Sequence, residues 1–345
     1  MSFSRKILDW YRENKRDLPW RKTRNPYRIW LSEIMLQQTR VAQGLPYYQK
    51  FLEAFPTVHD LANAPEEQVL KLWQGLGYYS RARNLHTTAK MVVSDFDGKF
   101  PNTYEGLKSL KGVGDYTASA IASFCFDIPE PVVDGNVYRV LARYFGVKLP
   151  INETQGAKYF KELAREVMDP KQIGDYNQGI MEFGAVQCAP KNPNCMFCPL
   201  SESCVAFQKN LVSNLPVKLN KTKIKNRYFN YLVFLDDSNQ TLLEQRKGKG
   251  IWQNLYQFPL IESKGEWSEA QLEQKMGETN GYPKMQSVTL YNMEPIVHKL
   301  SHQHLYTKFW LVNPLTELDD GIPWQRITDY PVPVLIADFI RTFKI

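Results

Sequence analysis

The hydrophobic positions divide the chain into two stretches with different periods. From residue 4 to about residue 210, apolar residues recur at three- and four-residue spacing between Pro and Gly residues, which predicts amphipathic helices. No convincing strand alternation occurs in that stretch. From Tyr228 onward the apolar runs are short and rich in β-formers, and turn residues separate them. The pattern predicts a helical part followed by an α+β part.

The second stretch contains strand-like and helix-like runs. The strand-like runs are YFNYLVFLDD, QTLLEQR, SVTLYN and LYTKFWLV, and the helix-like runs lie near residues 268–280 and 332–343. This mixture is typical of an α+β module. Between the two stretches, residues 216–227 are basic and lack an apolar face, which predicts an exposed linker. The predicted domains are residues 1–215 and 228–345.

The chain length agrees with this division, because 345 residues exceed one average core. The opening segment is charged and aromatic, and no run of about 18 apolar residues occurs in the sequence. We therefore expect a cytoplasmic protein without a membrane segment.

The net charge of +7 is unevenly distributed. Residues 1–217 carry +5, residues 218–227 carry five basic residues and no acidic ones, and residues 228–345 carry −3. A basic first part and junction favour contact with a polyanion such as DNA or RNA. Many soluble proteins carry as much charge without such a partner, so charge alone leaves the question open.

Four of the five cysteines lie within 17 residues, with the spacing C-x6-C-x2-C-x5-C. They are Cys188, Cys195, Cys198 and Cys204, while Cys125 stands alone in an apolar run. Disulfides are not typically clustered in this way, whereas a metal or cluster site is. A four-cysteine zinc site remains an alternative, although it usually shows two separated C-x2-C pairs.

The segment LKGVGDYTA predicts a tight turn that opens a helix. Gly112 and Gly114 allow the backbone to approach a ligand, and the free amides at the start of the helix suit a phosphate. Many helix junctions need glycines, so this signal is weak alone.

Two carboxylates stand out as candidates for acid and charge-stabilising roles. Glu33 lies among apolar residues in RIWLSEIMLQQT, where desolvation would raise its pKa and favour a general acid. Asp134 follows an apolar run in PVVDGNV. Glu33 could instead face solvent on a helix, and Asp134 could be a helix N-cap.

Further candidates lie in the stretch WQGLGYYSRAR and in the α+β part. Tyr78 and Tyr79 stand beside arginines, a mixture that suits base stacking and phosphate contacts but is equally common at helix junctions. The stretch from Gly250 to Pro259 reads GIWQNLYQFP. His298, His302 and His304 lie close together, so a metal-binding patch on one strand face is an alternative there.

These motifs, in this order, resemble the MutY-type adenine DNA glycosylases of the helix-hairpin-helix superfamily, over nearly the whole chain. The resemblance implies a six-helix, all-α glycosylase domain with an iron–sulfur loop at residues 188–204, followed by a Nudix-like α+β domain that reads 8-oxoguanine. It also implies a [4Fe–4S] cluster on Cys188, Cys195, Cys198 and Cys204, with a structural role.

The resemblance implies a monofunctional reaction on adenine paired with 8-oxoguanine or guanine in double-stranded DNA. Glu33 would protonate the adenine and Asp134 would stabilise or capture the sugar cation, with Asn136 and Tyr116 in the same pocket. Bifunctional relatives have a lysine where this chain has Tyr116. Tyrosine cannot form the imine, so we expect weak or absent lyase activity. The protein is expected to act as a monomer.

The resemblance also assigns contacts with DNA and with the lesion. Tyr78 would intercalate with Gln38 across the mispair, arginines would hold phosphates, and Leu300-Ser301-His302 would read the lesion, with Leu300 where the family has phenylalanine. No R-E-x-x-E-E helix follows Pro259, so recognition rather than hydrolysis is expected there. The assigned positions are Gln38, Thr39, Tyr78, Arg81, Arg83, Gly112, Gly114, Lys191, Leu300, Ser301 and His302.

Two other functions remain open from the sequence. An endonuclease III-like glycosylase-lyase acting on oxidised pyrimidines would share the cysteine loop and hairpin. A catalytically silent lesion-binding protein would share the scaffold.

Overall fold

A computed structural model of the chain describes residues 2–219, 223–279 and 281–345. The chain forms two compact units, one of residues 1–63 with 84–220 and the other of residues 64–83 with 221–345. The division predicted from sequence ran between residues 215 and 228. The observed second unit therefore also takes up residues 64–83. In the described chain, no helix is long and apolar enough to span a bilayer.

The described residues up to 219 form α-helices and short 3₁₀ turns, without a β-strand. The 3₁₀ turns are Pro19–Arg21 and Ser201–Ser203. The helices are α1 (Phe3–Asn14), α2 (Pro26–Leu36), α3 (Val41–Ala54), α4 (Val58–Asn63), α5 (Glu66–Leu72), α6 (Ser80–Phe96), α7 (Tyr104–Ser109), α8 (Asp115–Phe126), α9 (Gly135–Phe145), α10 (Thr154–Val167), α11 (Ile173–Val186) and α12 (Val205–Gln208). This described part thus has more than the six expected helices, because residues such as Pro65 separate short ones.

Local signals explain where the site-bearing helices begin. The Asn25 side chain caps α2 by accepting a hydrogen bond from Arg28 N at 3.2 Å, and Pro26 occupies the first helical position.

The core of the first unit packs α1, α9, α10 and α11 around side chains such as Ile7, Val137 and Phe183. This core supports both the segment that carries Asp134 and the cysteine loop.

The second unit contains a five-stranded mixed sheet in the order β5-β1-β8-β6, with β7 also paired to β8. β1 runs parallel to β8, from Lys225 opposite Gln303 to Phe234 opposite Val312, and the other pairs in this sheet are antiparallel. Small ladders join β2 to β9 and β3 to β4. The strands are β1 (Lys225–Phe234), β2 (Gln240–Thr241), β3 (Glu244–Gln245), β4 (Tyr256–Gln257), β5 (Leu260–Ser263), β6 (Met285–Leu290), β7 (Ile296–Lys299), β8 (Gln303–Pro314) and β9 (Ile322–Pro323).

Among the described residues after 222, two helices and a 3₁₀ turn accompany these strands: α13 (Glu269–Glu278), Trp324–Asp329 and α14 (Val334–Thr342). Both helices overlap the helix-like runs in the sequence. A helical domain followed by an α+β domain is thereby confirmed. β1 begins at Lys225, inside the predicted linker, because its pairing with β8 and the Arg227–Glu262 ion pair extend the strand.

Candidate active site and DNA-contact residues

Glu33 lies on α2 with its carboxyl group buried. Its side chain is 6% exposed, and the Tyr116 hydroxyl donates a hydrogen bond to Glu33 Oε2 at 2.6 Å. Burial raises the pKa of Glu33 to about 7, with the charge of Asp134 raising it further and the Tyr116 bond lowering it. A solvent-facing helix carboxylate, the alternative from sequence, is therefore excluded by the structure.

Tyr116 stands in the first turn of α8, directly after the glycine-rich turn. Gly112 has a φ of +75°, and a Cβ there would lie 2.8 Å from Asn84 Cβ, so the turn needs glycine at this position. Gly114 is the N-cap of α8. The turn thus presents exposed backbone at Gly112 and Gly114 and directs the Tyr116 ring inward to Glu33.

Asp134 is the N-cap of α9, and it also faces the pocket of Glu33. Its Oδ1 accepts from the backbone N–H groups of Asn136 at 2.9 Å and Val137 at 2.8 Å. Its Oδ2 accepts from the Asn136 side chain at 2.7 Å. Burial raises the pKa of Asp134, and these hydrogen bonds oppose the shift. The N-cap role weighed from sequence therefore coexists with a place in the pocket.

Arg139 joins this cap to the cysteine loop. Its Nη2 donates to Asn136 Oδ1 at 2.8 Å, and its Nε donates to the Cys188 carbonyl at 2.7 Å. Residue 184 on α11 must be glycine for α11 to pack closely against Asn136, because a Cβ there would lie 2.7 Å from Asn136 Cβ. Arg139 therefore contacts both Cys188, the first cysteine of the loop, and Asn136, which in turn donates to Asp134.

The pocket has a charged wall that the sequence reasoning missed. Glu182 is 1% exposed, and its carboxylate accepts from Arg16 Nη2 at 2.6 Å and from Arg21 Nη2 at 2.7 Å. These bonds lower the pKa of Glu182 to about 2 in spite of its burial. The signal in the sequence was an acidic residue within the apolar run GIMEFGAV. The residues that line the pocket include Arg16, Trp20, Arg21, Glu33, Thr39, Tyr116, Asp134, Asn136, Arg139 and Glu182.

The loop after α2 supplies two of the assigned DNA contacts. Gln38 adopts a left-handed backbone with a φ of 55° and lines a second cleft with Glu33, Gly114 and Asp134. Thr39 lines the main pocket. Both side chains therefore lie at the mouth of the site and not within a helix.

The four clustered cysteines line one cavity in the first unit. None of the four is in a disulfide, and Leu200 and Arg143 also line the cavity. Arg143 Nη1 donates to Cys188 Sγ at 3.5 Å and to the Ala189 carbonyl at 2.7 Å. In the described chain, no three His, Cys, Asp or Glu side chains are grouped closely enough for a single metal ion. Lys191 is exposed on the same loop.

Residues 64–83 are bound to the β-rich part of the second unit through backbone carbonyls. Lys71 Nζ donates to the carbonyls of Thr328 and, at 3.0 Å, of Tyr330, while Arg83 Nη1 donates to that of Gln253 at 2.9 Å. At the exposed tip, Tyr78 has a φ of 49° and follows Gly77 with a φ of +80°. A non-glycine residue in this region of φ marks local strain, which often accompanies function.

Tyr78 contacts the predicted lesion-reading turn. Its hydroxyl lies 2.6 Å from Ser301 Oγ. Leu300, Ser301 and His302 form the turn between β7 and β8, closed by a bond from Leu300 N to the Gln303 carbonyl at 2.9 Å. Ser301 and His302 are exposed and Leu300 is half-buried. The structure thus brings together the residues assigned to intercalation and lesion reading.

The arginines after Tyr78 contact groups of the protein itself. Arg81 is 8% exposed, lies over the rings of Trp73 and Tyr78, and donates to the Gly77 carbonyl at 3.0 Å. Arg83 is held by the Gln253 carbonyl. Phosphate contacts by these two side chains stay a prediction. Their contacts stabilise the turn behind Tyr78.

The histidines of the second unit do not share a strand. The chain reverses between Lys299 and Gln303, so His298 lies on β7 and His304 on β8. His298 packs against Trp252 and its pKa is lowered by burial. The alternative of a metal-binding patch required the three histidines to lie on one face of a single strand, and that premise is wrong.

Comparisons with known proteins agree with both units. Residues 31–170 match the family described as HhH-GPD superfamily base excision DNA repair protein, and residues 230–342 match the NUDIX domain. The adenine DNA glycosylase of Buchnera aphidicola subsp. Schizaphis graminum is 37% identical over 312 residues, which cover 90% of this chain and 87% of that protein. The adenine DNA glycosylase of Rattus norvegicus is 45% identical over 217 residues, 60% of this chain and 42% of that protein.

A solved structure is also similar to the chain. A thermostable thymine-DNA glycosylase superposes with a TM-score of 0.56 at 33% identity, covering 60% of this chain and 95% of that one. Because the first relative is matched over nearly its whole length, the chain belongs to the adenine DNA glycosylase family.

Proposed function

We propose that the chain is a base-excision-repair enzyme that hydrolyses the N-glycosidic bond of adenine paired with 8-oxoguanine or guanine, leaving an abasic site. The observation that carries this proposal is the buried Glu33 carboxyl, hydrogen-bonded by Tyr116 in a pocket that Asp134 also lines. An enzyme that breaks this bond needs a proton for the leaving base and a carboxylate near the developing sugar cation.

Glu33 is the general acid. A pKa near 7 leaves a large fraction of the carboxyl groups protonated at neutral pH, which a solvent-exposed glutamate would not achieve. The Tyr116 bond fixes the carboxyl orientation, so that its other oxygen can face the base.

Asp134 stabilises or captures the sugar cation. Burial raises the pKa of Asp134, while its three hydrogen bonds at the start of α9 favour the ionised form, which can stabilise the positive charge that develops on the sugar. Asn136 holds Oδ2 and is thereby a positioning group for the aspartate.

The wall formed by Glu182, Arg16 and Arg21 suits the edge of a purine. A carboxylate can accept from the exocyclic amino group of adenine, and a guanidinium can donate to a ring nitrogen. The adenine would have to leave the duplex to reach this buried wall, which is why we propose a flipped base.

We propose that each unit contributes residues that contact DNA. The exposed amides at Gly112 and Gly114 and the Lys191 side chain suit phosphates. Tyr78, exposed on a strained tip, suits insertion into the duplex, with Gln38 and Thr39 at the mispair. Leu300, Ser301 and His302 then read the 8-oxoguanine, with serine and histidine as the hydrogen-bonding groups. We propose that the protein binds as a monomer.

A [4Fe–4S] cluster fits the thiol-lined cavity. Cys188, Cys195, Cys198 and Cys204 would hold it, and a cluster of four irons accommodates thiolates from one compact loop. Bound there, it supplies a structural cross-link with no part in the bond-breaking steps. Arg143 and Arg139, which donate to this loop, keep it in contact with α9.

We propose that the reaction stops at the abasic site. Tyr116 takes the place where relatives with lyase activity have lysine, and a phenol cannot form an imine with the sugar. Efficient borohydride trapping of a protein–DNA adduct would contradict this part of the proposal.

The function is tested on duplexes that carry adenine opposite 8-oxoguanine, guanine or thymine, and thymine opposite guanine. The protein, Glu33→Gln and the exposed control Glu162→Gln on α10 are incubated with each duplex, and abasic sites are then cleaved with alkali. We expect breaks only after alkali, most with 8-oxoguanine, retained in Glu162→Gln and lost in Glu33→Gln. No release from any adenine mispair, or release of thymine alone, would overturn the proposal.

A further inference from the structure

A half-buried lysine behind the hairpin connects two segments that carry site residues. Lys161 on α10 is 16% exposed in its side chain. Its Nζ donates to Asp115 Oδ2 at 3.1 Å, to Ser119 Oγ at 2.8 Å and to the Pro131 carbonyl at 2.7 Å. An ammonium group has three donors, so each of them has a partner.

The three acceptors belong to two different parts of the chain. Asp115 and Ser119 lie on α8, and Asp115 directly precedes Tyr116. Pro131 lies three residues before Asp134, and the intervening Val132 is fully buried. A displacement at Lys161 would therefore be transmitted to Tyr116 on one side and to Asp134 on the other.

Burial lowers the pKa of Lys161, and the neighbouring carboxylates of Asp115 and Glu130 oppose that shift. Asp115 accepts a hydrogen bond from Tyr104, and Glu130 Oε2 lies 3.8 Å from Lys161 Nζ. Arg165, one turn along α10, also pairs with Glu130 at 3.1 Å, but its side chain is 48% exposed. An arginine could not replace Lys161 easily, because its planar donors do not diverge as those of an ammonium do.

We propose that Lys161 is a positioning residue for adenine release, which fixes the separation between the Tyr116–Glu33 pair on one side and Asp134 on the other. This inference rests on the proposed function. Lys161 has no place in the pocket and touches no reacting group. Its effect is on the geometry in which the proton donor and the charge-stabilising carboxylate meet the base and sugar.

The test compares Lys161→Met, which keeps the length of the side chain without its donors, with the matched control Arg165→Met. Single-turnover adenine release is measured with adenine opposite 8-oxoguanine. Duplex affinity is measured with 2′-fluoro-2′-deoxyadenosine opposite 8-oxoguanine, which resists cleavage. Thermal unfolding of each variant reports its stability. Ser119→Ala, which removes one acceptor and keeps the helix, serves as a milder second variant.

We expect Lys161→Met to release adenine at least about tenfold more slowly, since small misplacements of reacting groups have effects of this size, with duplex affinity within about threefold. Arg165→Met should stay within about twofold of the unmodified protein. If Lys161→Met does not fold, slower adenine release by Ser119→Ala at unchanged duplex affinity would support the same conclusion. Unchanged rates in the folded variants, or equal losses in Arg165→Met, would overturn the inference. Absence of adenine release by the unmodified protein would overturn the proposed function itself, and this inference with it.

Discussion

The Tyr78 hydroxyl lies 2.6 Å from Ser301 Oγ, so the strained tip after α5 is bonded to the turn between β7 and β8. Lys71 and Arg83 attach the same segment to carbonyls of the β-rich part. The residue proposed to open the duplex and a residue proposed to read the lesion are therefore held by one unit. Their contributions to DNA recognition should depend on each other.

A double-mutant cycle tests this dependence. Tyr78→Phe keeps the ring for stacking, and Ser301→Ala removes a hydrogen-bonding group for the lesion. We expect each single change to reduce the preference for 8-oxoguanine over guanine by roughly threefold to tenfold, and the double change to cost less than the product, because the two hydroxyls are partners. Affinities for duplexes with the cleavage-resistant adenine analogue give the preference. Ser287→Ala on β6 is the control, and strictly multiplicative effects would contradict the coupling.

The Glu182 cluster should contribute pH-dependent stability. The pKa of Glu182 is lowered from 4.5 to about 2. A carboxyl group with a lowered pKa stabilises the folded state above its unfolded pKa, and this contribution is lost as the pH falls through the folded pKa, here between about 4.5 and about 2. Glu182→Gln should therefore reduce the free energy of unfolding by about 2 kcal/mol near pH 7, allowing for the partial exposure of Arg16.

Urea unfolding at several pH values measures this contribution. The difference between the unmodified protein and Glu182→Gln should shrink as the solution becomes more acidic. The control Asp9→Asn removes an exposed pair with Arg5 and Arg12 and should change the free energy of unfolding by less than about 1 kcal/mol. A Glu182→Gln difference that does not vary with pH would show that the carboxylate is not stabilised by its arginines.

The cysteine cavity should bind iron through all four thiols. Cys198→Ser is expected to lower the iron content and the broad visible absorption, and to destabilise the loop, because a cluster binds only deprotonated sulfur ligands firmly. Cys125→Ser, which alters the isolated cysteine of α8, should leave both unchanged. Iron analysis and absorption spectroscopy give the comparison. Zinc in place of iron, or full iron loading of Cys198→Ser, would contradict the assignment.

The hydrogen bond from Tyr116 should set the pH at which Glu33 loses its proton. This bond lowers the pKa of Glu33, so Tyr116→Phe should raise that pKa and move the alkaline fall in rate to higher pH. The maximal rate should fall as well, because the carboxyl group loses its orienting partner. Single-turnover rates across pH measure both effects, with Tyr159→Phe on α10 as an exposed control. A fall that moves to lower pH would contradict this account of the bond.

The fold class and several local features follow from residues that are near one another in the sequence. The period of the apolar positions predicts the helices, the glycines of the hairpin predict the turn before α8, and Asp134 before Gly135 predicts an N-cap. Each of these depends on contacts within a few residues, for which sequence patterns are informative.

Other features depend on distant partners and could not be predicted in that way. Glu182 is paired with Arg16 and Arg21 across more than 160 residues, and only its apolar neighbours marked it. Residues 64–83 join the second unit largely through backbone carbonyls, which leave no trace in side-chain patterns. The burial of Arg81 against Trp73 could not be predicted either, because a run of polar residues gives no sign of such a contact.

The central claim is that a buried Glu33 carries the proton that releases adenine. Its direct test is the pH dependence of single-turnover adenine release, opposite 8-oxoguanine, from about pH 5.5 to about pH 9. Because the pKa of Glu33 is raised to about 7, the protonated fraction and the rate should be high below that pH and fall as the pH rises through it. A rate that stays level or increases through that range would contradict the claim.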